Sequence, residues 1–294
     1  MRDAQGSRRG RGNKAVTPTT INQYREESDF DLLDLTFLGG HPLHLTYSEV
    51  YGAALINGDV DHGRIQPGVK IANHPYTSAA RMEVELRGRE TSMPRSPSQI
   101  ALSTFFASFQ PRNGAEWFGV DNSSTFLNCC KPWEALPPWR ARDPSFYGHL
   151  ILKSAHEELV ENHQELIKEC PGGTYWAKCG PVNPIVLDSE DKRLRNLITS
   201  MKIRGFLRSN DVRGDIKATA LVKKNGDWRW LVSSGYHRSC VAVALGLREI
   251  PIRINLVIRE GESDYWPQVR AGRFSKALAN RIFNNIFDGI HSAF

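Results

Sequence analysis

Apolar and polar residues alternate most clearly in the last third of the chain, where the pattern predicts regular elements. The segments 216–222 and 228–232 are apolar and flank Asn225-Gly226, the dipeptide most typical of a tight β-hairpin turn. Another apolar strand is predicted over 250–258. The segment 275–287 repeats its apolar residues at helical spacing, which predicts an amphipathic helix at the end of the chain.

A longer helix is predicted ahead of the hairpin. Its apolar residues recur at intervals of three and four, as one buried helix face requires. They are Leu194, Leu197, Ile198 and Met201. Ser189 is expected to cap this helix, with Glu190 and Asp191 in its first turn, and Gly205 is expected to end it. The segment 184–188 is expected to form a short strand before it, so the second half predicts a compact α/β arrangement.

The first half gives a weaker pattern, because glycine, proline, asparagine and aspartate interrupt its apolar runs. Strict alternation over 81–87 predicts a half-exposed strand, and 47–57 predicts a short helix that Gly58 stops. The segment 99–109 is apolar enough to be buried, but its pattern fits a strand or a helix equally. We therefore expect a loop-rich α+β extension in this half of the chain.

These patterns predict three parts of the chain. Residues 1–28 form a basic, flexible tail, and residues 29–170 form an α+β region that we expect to specify the substrate. Residues 171–294 form a compact α/β domain. A helix predicted over 149–170, ended by the proline and glycines that follow it, would connect the two folded parts.

Composition indicates an ordinary globular chain and excludes several classes of protein. Of 294 residues, 40% are apolar and 24% are charged, as in typical soluble domains. No window approaches the roughly 18 apolar residues of a membrane span, and no signal-peptide core follows Met1. We therefore expect a cytoplasmic protein without membrane partners. Five cysteines without a CxxC pair favour reduced thiols over a disulfide framework.

The net charge of +6 is unevenly distributed along the sequence. Residues 1–14 hold five basic residues and one acidic residue, a net +4, which leaves +2 for the rest of the chain. A body this close to neutral is not typical of a dedicated duplex-DNA binder. We expect contact with nucleic acid, if any, only through the basic tail.

Residues of metal-ligating type are present in the first half, but their spacing is not that of a metal site. They are His41, His44, His62, Asp59, Asp61 and the vicinal pair Cys129-Cys130. The acidic loop that ends at Gly63 is the best of these candidates. Polar loop residues and a small buried thiol pair remain the simpler interpretation, so no metal site is assigned.

The segment 231–246 carries the strongest candidate chemistry. It predicts a strand end, a turn at Ser233-Ser234-Gly235, and a helix that begins near His237 and Arg238. Free N–H groups and the positive dipole end of such a helix favour a phosphate, to which both side chains can donate. A histidine that caps the turn and an arginine that pairs with an acid remain the structural alternative. Cys240 is expected to face the core.

Phosphoryl transfer also requires a group that positions the acceptor hydroxyl, usually a carboxylate, together with a divalent cation. Asp188, Glu190 and Asp191 supply acids on a neighbouring element of the same region. For each of them taken alone, a water-facing position in the first helical turn is the alternative. Neither a P-loop nor a GxGxxG sequence is present.

These residues together resemble the ParB/sulfiredoxin superfamily over about residues 174–260. The resemblance rests on 197–200 with Gly205, the hairpin, Ser234-Gly235-Tyr236-His237-Arg238, Leu245-Gly246 and Ile250-Pro251. The His-Arg pair is closest to the kinase and sulfiredoxin branch. The resemblance implies that residues 234–238 hold nucleotide phosphates, and that Glu190 or Asp188, with His237, acts in catalysis.

Departures from the superfamily pattern select among its activities. Tyr236 replaces the catalytic cysteine of sulfiredoxins, so repair of sulfinic acids is not expected. The chain after residue 258 is too short for the helix-turn-helix and dimer domains of partition proteins. Ser234 stands where the free serine kinases have aspartate, so one expected acid is missing.

The resulting expectation is an ATP-dependent phosphotransferase that acts on a small hydroxyl-bearing metabolite, such as a sugar or an amino-acid derivative. Its cofactors would be ATP (or ADP or CTP) and Mg²⁺. A non-catalytic, CTPase-like nucleotide-binding switch is the alternative. A ParB-like protein that binds or cleaves DNA is a third possibility, which the near-neutral charge of the body disfavours.

Overall fold

The computed structural model describes residues 32–37, 39–86, 95–121, 124–167, 176–208 and 215–293, without the side chains of 158–167. The predicted tail, residues 1–28, lies outside these residues. The described chain has a mixed α/β fold in which helices surround one seven-stranded sheet. No helix among the described residues is long and apolar enough to cross a membrane.

The sheet is assembled from both halves of the chain. Its strands are β1 (Leu32–Asp34), β2 (Ala53–Asp59), β3 (Gly63–Ile65), β4 (Val69–Lys70), β5 (Ile216–Val222), β6 (Trp228–Ser234) and β7 (Glu249–Arg259). Their spatial order is β1-β2-β7-β5-β6-β3-β4. The predicted boundary between residues 170 and 171 lies outside the described residues, and the sheet takes strands from both sides of it.

The centre of the sheet confirms the predicted hairpin and the predicted strand that follows it. β5 and β6 pair antiparallel, with Thr219 opposite Leu231. β7 lies between β5, to which it is parallel, and β2, to which it is antiparallel. Ile250, Ile252 and Ile254 of β7 are fully buried. A strand with neighbours on both sides and a buried face needs such an apolar sequence.

The helices lie around this sheet. They are α1 (Leu43–Thr46), α2 (Pro75–Leu86), α3 (Pro97–Ser108), α4 (Gly114–Phe118), α5 (Thr125–Cys129), α6 (Pro144–Ile167), α7 (Pro184–Arg204), α8 (Tyr236–Ala244), α9 (Pro267–Arg270) and α10 (Lys276–Asp288). Short 3₁₀ turns span Val60–His62, Ile71–Asn73, Pro132–Glu134 and Glu260–Tyr265. α2 packs against both α3 and α8.

The predicted terminal helix is confirmed as α10. The hydroxyl of Ser275 accepts the N–H of Leu278 and caps its amino end. Its apolar face is buried. The predicted helix over 149–170 is confirmed up to residue 167 as α6, which begins earlier, at Pro144, where Asp143 accepts the N–H groups of Ser145 and Phe146. Residues 168–170 lie outside the described chain.

The strand predicted over 81–87 is wrong, because its residues to Leu86 belong to α2. The buried residues of that helix recur at helical spacing from Tyr76 through Ala79 and Ala80 to Glu83. The alternating apolar residues that suggested a strand do not form the buried face, since Met82 is exposed. A short alternating segment is compatible with a helix when residues before it complete the buried stripe.

Two predictions about element type near residues 47–58 and 184–188 are also wrong. Residues 53–59 form strand β2, which lies between β1 and β7 in the sheet and whose apolar side chains are buried. Residues 184–188 open α7, in which Pro184 occupies the first turn and the side chain of Asn183 caps the helix by accepting the N–H of Ile185. The predicted end of α7 at Gly205 is confirmed.

Because α7 begins at Pro184, its acidic residues lie farther from the start of the helix than predicted. Ser189 lies inside the helix and does not cap it, and Glu190 and Asp191 lie in its second turn. Successive residues of a helix point about 100° apart, so the two acids face different neighbours. The ambiguous segment 99–109 proves helical as most of α3, whose amino end Ser96 caps by accepting the N–H of Gln99.

Candidate functional site

Glu190 is the centre of a buried polar cluster where three helices meet. Its Oε2 lies 2.5 Å from Nε2 of His237 in α8. The same oxygen accepts the hydroxyl of Tyr76 in α2 at 2.6 Å and the hydroxyl of Tyr236 at 3.0 Å. Glu190, His237 and Tyr76 are almost completely buried. A buried carboxylate with several donors is the arrangement that offsets loss of its hydration.

The protonation states of this cluster follow from its surroundings. Burial alone would raise the pKa of Glu190, but the charge and hydrogen bond of His237 and the hydroxyl of Tyr76 lower it to about 2. Burial lowers the pKa of His237 against the opposing effect of Glu190. Burial also raises the pKa of Tyr76, which keeps its proton as a donor. At neutral pH the pair is therefore a carboxylate and an uncharged imidazole.

This charge state fixes the tautomer of His237. An ionised carboxylate only accepts, so Nε2 of the neutral imidazole carries the proton that it donates to Glu190. Nδ1 then has a free lone pair. A carboxylate that orients a neutral histidine in this way prepares the ring as a proton acceptor. The pair can therefore take a proton from a group bound beside it.

The predicted strand, turn and helix beside this pair are present. β6 ends at Ser234, Gly235 adopts φ +84°, and α8 begins at Tyr236. A Cβ at position 235 would lie 3.2 Å from Cα of Ile216, so both conformation and space require glycine. With no side chain on Gly235 to cap them, the first N–H groups of α8 can bind an anion.

An open cleft of about 840 Å³ adjoins the turn and the pair. Its walls come from α6, the segment 176–178, one face of α7, and the β6–α8 turn. Five basic residues line it. They are Lys178, Lys192, Arg193, Arg204 and Arg238. Among the described lining residues, Glu190 is the single carboxylate, so basic side chains outnumber acidic ones there.

The basic residues lie toward two ends of the cleft. At one end, Nη1 of Arg193 is 3.8 Å from Oε1 of Glu190, and Nζ of Lys178 lies 2.8 Å from the ring centroid of Tyr236. At the other end, Arg204 donates to Ser200 Oγ at 2.6 Å, and Arg238 donates to the carbonyl of Leu207 at 2.8 Å. Glu190 and Arg204 are fourteen positions apart in α7, about 21 Å along the helix.

The structure brings most of the predicted site residues to this cleft. Those that line it are Glu190, Ser234, Gly235, Tyr236, His237 and Arg238. It does not bring the other two acids there. Asp188 accepts Nε2 of Gln99 at 2.5 Å, and Asp191 accepts the hydroxyls of Ser96 and Ser98. Both acids therefore face α3, and their contacts are structural.

Sequence reasoning missed two residues of the site, Tyr76 and Lys178. Tyr76 lies 114 positions before Glu190 in a helix that the pattern did not predict, and Lys178 precedes α7 in a stretch without a recognisable motif. The rings of Tyr76 and His237 are 5.2 Å apart, edge to face. Such contacts depend on tertiary packing, and no local signal in the sequence predicts them.

Next to Tyr76, Nδ1 of His74 and Sγ of Cys240 form a fully buried contact of 3.9 Å. Burial lowers the pKa of His74 to about 3 and raises the pKa of Cys240 to about 12. Nδ1 of His74 also accepts the N–H of Tyr76 at 3.3 Å. Both groups are therefore uncharged, and Cys240 faces the core, as predicted.

The residues of metal-ligating type in the first half have other contacts. Nε2 of His41 bonds to the carbonyl of Gly226, and Asp59 accepts the N–H of Asp61. Cys130 is buried, but Cys129 is exposed. In the part of the chain that the structure describes, no three histidine, cysteine, aspartate or glutamate side chains are grouped so that they could hold a metal ion.

No family model, curated protein or solved structure was found to match the chain.

Proposed function

We propose that the protein is a nucleotide-dependent phosphotransferase that moves a phosphoryl group from ATP to the hydroxyl of a small metabolite. One observation carries the proposal. A carboxylate–imidazole pair, Glu190 and His237, opens on a cleft lined by five basic residues at the start of a glycine-initiated helix. Phosphoryl transfer depends on such electrostatic positioning of phosphates and of an acceptor hydroxyl.

The turn at Gly235 and the far end of the cleft would bind the nucleotide. The first N–H groups of α8 and the hydroxyls of Ser233 and Ser234, which line the cleft, would serve as donors, and Arg204 and Arg238 add positive charge. A cleft of about 840 Å³ is large enough for a nucleotide and a small second substrate. This assignment agrees with the resemblance of 234–238 to nucleotide-binding members of the ParB/sulfiredoxin superfamily.

The Glu190–His237 pair would act on the acceptor. Nδ1 of His237 is the group best suited to accept the proton of a bound hydroxyl, and Glu190 fixes the tautomer that leaves Nδ1 free. Glu190 itself is a weak base because its pKa is about 2. Its part is therefore orientation of His237 and electrostatic stabilisation of the charge that His237 gains.

The protein oxygens at this site are too few to hold Mg²⁺ unless nucleotide phosphates supply further ligands. Mg²⁺ prefers six oxygen ligands, and Oε2 of Glu190 is already taken by three donors. Glu190 would offer the ion only Oε1, and the hydroxyls of the turn are the other protein oxygens nearby. Bound there with nucleotide phosphates, the ion would neutralise charge on the transferred group.

A non-catalytic nucleotide-binding switch is the second candidate. The observation that favours it is the single carboxylate among the described lining residues, with Ser234 at the position where related kinases have aspartate. In that case nucleotide would bind the Gly235 turn as proposed, but no phosphoryl group would be transferred. Binding would then act by changing the contacts between α7 and α8 across the Glu190–His237 bond.

The two candidates are separated by one pair of measurements. First, ATP, ADP and CTP are titrated with Mg²⁺ into the wild type, His237→Ala and Arg238→Ala; the proposal expects binding that both substitutions weaken. Second, the protein is incubated with γ-labelled ATP and a metabolite extract. A new labelled metabolite that is absent with His237→Ala supports phosphotransfer, and binding without any labelled product supports the switch. Nucleotide binding that is absent, or unchanged in both variants, would contradict both.

A further inference from the structure

Trp176 ends a row of aromatic rings that begins in the core of the protein. Phe105 and Phe109 stack with their ring centroids 5.9 Å apart. The Trp117 ring lies 5.9 Å from that of Phe109 and 4.9 Å from that of Trp176. Phe105, Phe109 and Trp117 are buried, whereas Trp176 is only partly buried and lines the cleft. Trp133 also contacts Trp176, edge to face at 6.2 Å. The Trp176 ring is therefore supported by the core and offers part of its surface to the cleft.

Trp176 lies near the turn to which we assign the phosphates. Trp176 and Gly235 line the same cleft. Two residues of chain, at most about 7 Å, separate the backbone of Trp176 from that of Lys178. Nζ of Lys178 lies 2.8 Å from the ring centroid of Tyr236, the first residue of α8. A single ligand can therefore contact both the Trp176 ring and the start of α8.

The surroundings of Trp176 in the cleft include several apolar side chains. Those that line the cleft with it are Ile151, Ala155, Ala177 and Leu197. Phosphate groups gain nothing from an apolar wall, because they lose hydration there without finding donors. A flat heterocycle gains from it, since its faces are apolar and aromatic rings attract one another at centroid separations of about 4.5–7 Å. Stacking on an aromatic side chain is the usual way in which proteins bind the face of a base.

We infer that Trp176 is the base subsite of the nucleotide, on which the nucleobase stacks while the phosphates bind at the Gly235 turn. The inference rests on the proposed nucleotide binding, and it holds for the phosphotransferase and for the switch. A base bound there would extend the row of rings by one. Stacking recognises ring surface, so the subsite would favour nucleotides over bare polyphosphates.

Three probes test the subsite in the full-length protein: ATP, tripolyphosphate and adenosine. Each is titrated calorimetrically, with Mg²⁺ present, and tryptophan emission is recorded in parallel. We expect ATP to bind at least about tenfold more tightly than tripolyphosphate, which corresponds to about 1.4 kcal/mol. ATP and adenosine should quench tryptophan emission, because each places a ring against Trp176, and tripolyphosphate should leave it unchanged.

Two variants and one control assign the effect to Trp176. Trp176→Leu should weaken ATP binding about tenfold and leave tripolyphosphate binding unchanged, which also shows that the phosphate site is intact. Trp176→Phe should keep most of the affinity for ATP, since a ring remains, but lose most of the quenching. Trp228→Leu is the control, because Trp228 begins β6 and is not among the residues that line the cleft.

The inference is overturned if ATP and tripolyphosphate bind the wild type equally, or if Trp176→Leu weakens both to the same extent. It is also overturned if adenosine still quenches emission in protein saturated with ATP, since the wall would then bind a ring of the second ligand.

Failure of the proposed function gives a different result. If neither ATP nor tripolyphosphate binds but adenosine binds in a manner that depends on Trp176, the base subsite stands and the phosphate site does not. If ATP and tripolyphosphate bind equally and both depend on Arg238, the phosphate site stands and the base subsite does not.

Discussion

Oε2 of Glu190 and Nε2 of His237 lie 2.5 Å apart, and this contact joins α7 to α8 across 47 positions of sequence. Both side chains are almost completely buried, yet both line the cleft. The pair therefore joins two helices and also borders the cleft, where the proposed function makes His237 the proton acceptor. Changes at either residue should affect stability and ligand chemistry together.

The pH dependence of stability should report the low pKa of Glu190. The pKa is about 2 in the folded protein against an ordinary value of 4.5, so the carboxylate stabilises the fold above pH 4.5 and this contribution is lost as the pH falls toward 2. Compared with Glu190→Gln, the wild type should lose stability as the pH falls from 4.5 toward 2, the range in which the carboxylate takes up a proton. Urea unfolding across this range measures the difference. A difference independent of pH would contradict the assignment.

Gly235→Ala should destabilise the protein by about 1–2 kcal/mol, because alanine at φ +84° is strained and its Cβ would press on Ile216. Gly246→Ala is the matched control after the other end of α8. Gly246 has φ +88°, but a Cβ there meets nothing within 4 Å. Thermal melting should show the larger loss at position 235. Equal losses of stability in the two variants would mean that the close approach of Gly235 to β5 is unimportant.

Arg204→Ala should weaken nucleotide binding about tenfold and leave stability nearly unchanged. Arg204 is exposed, faces the cleft, and contacts Ser200, and no described carboxylate pairs with it. Lys202→Ala removes an equal charge from the same turn of α7 at a residue outside the cleft lining. Isothermal titration with ATP should distinguish the two variants. An equal effect of both would indicate only general charge attraction.

The neighbouring acids of α7 should behave differently from Glu190. Asp191→Asn should cost about 2–4 kcal/mol of unfolding free energy, because Asp191 is buried, accepts two serine hydroxyls and pairs with Arg195. Asp188→Asn, at a residue with one contact to Gln99, should cost less than about 0.5 kcal/mol. Denaturant titration measures both changes. Nucleotide affinity should be the same in both variants, and a loss in Asp188→Asn would place that acid in the site after all.

Tyr76→Phe should test the contribution of the first half of the chain to the site. It removes the hydroxyl that donates to Glu190 at 2.6 Å, a charge-assisted hydrogen bond worth about 1.5–3 kcal/mol. Loss of this donor should also raise the pKa of Glu190, so the pH dependence of stability should move to higher pH. Titration of unfolding free energy against pH measures the shift. An unchanged profile would show that His237 alone sets the charge of Glu190.

The elements that the sequence predicted correctly are those with local signals. Asn225-Gly226 specifies a hairpin, and Ser275 caps a helix whose apolar face is complete within thirteen residues. β2 has no such signal, because its place inside the sheet depends on pairing with β7, almost 200 positions later. Asn183-Pro184 did carry a helix-start signal, which the β-branched residues after it obscured.

The residues of the candidate site also fall into those with a local sequence signal and those without one. The turn at Gly235 and the acid Glu190 were recognisable, because glycine before a helix and a carboxylate on a neighbouring helix are local features. The position of Asp188 outside the cleft could not be recognised from the sequence. It depends on where α7 begins and therefore on which residues share a face of that helix. Tyr76 and Lys178 belong to the site through tertiary packing alone, so their roles could be assigned only from the structure.

The central position of β7 has a consequence for synthesis of the protein. β2 is made about 190 residues before its partner β7. Until β7 is made, the edge of β2 that pairs with it has no partner strand, and such an edge invites pairing with other chains. Co-translational protection of this edge by a chaperone, or rapid synthesis through β7, would raise the yield of native protein.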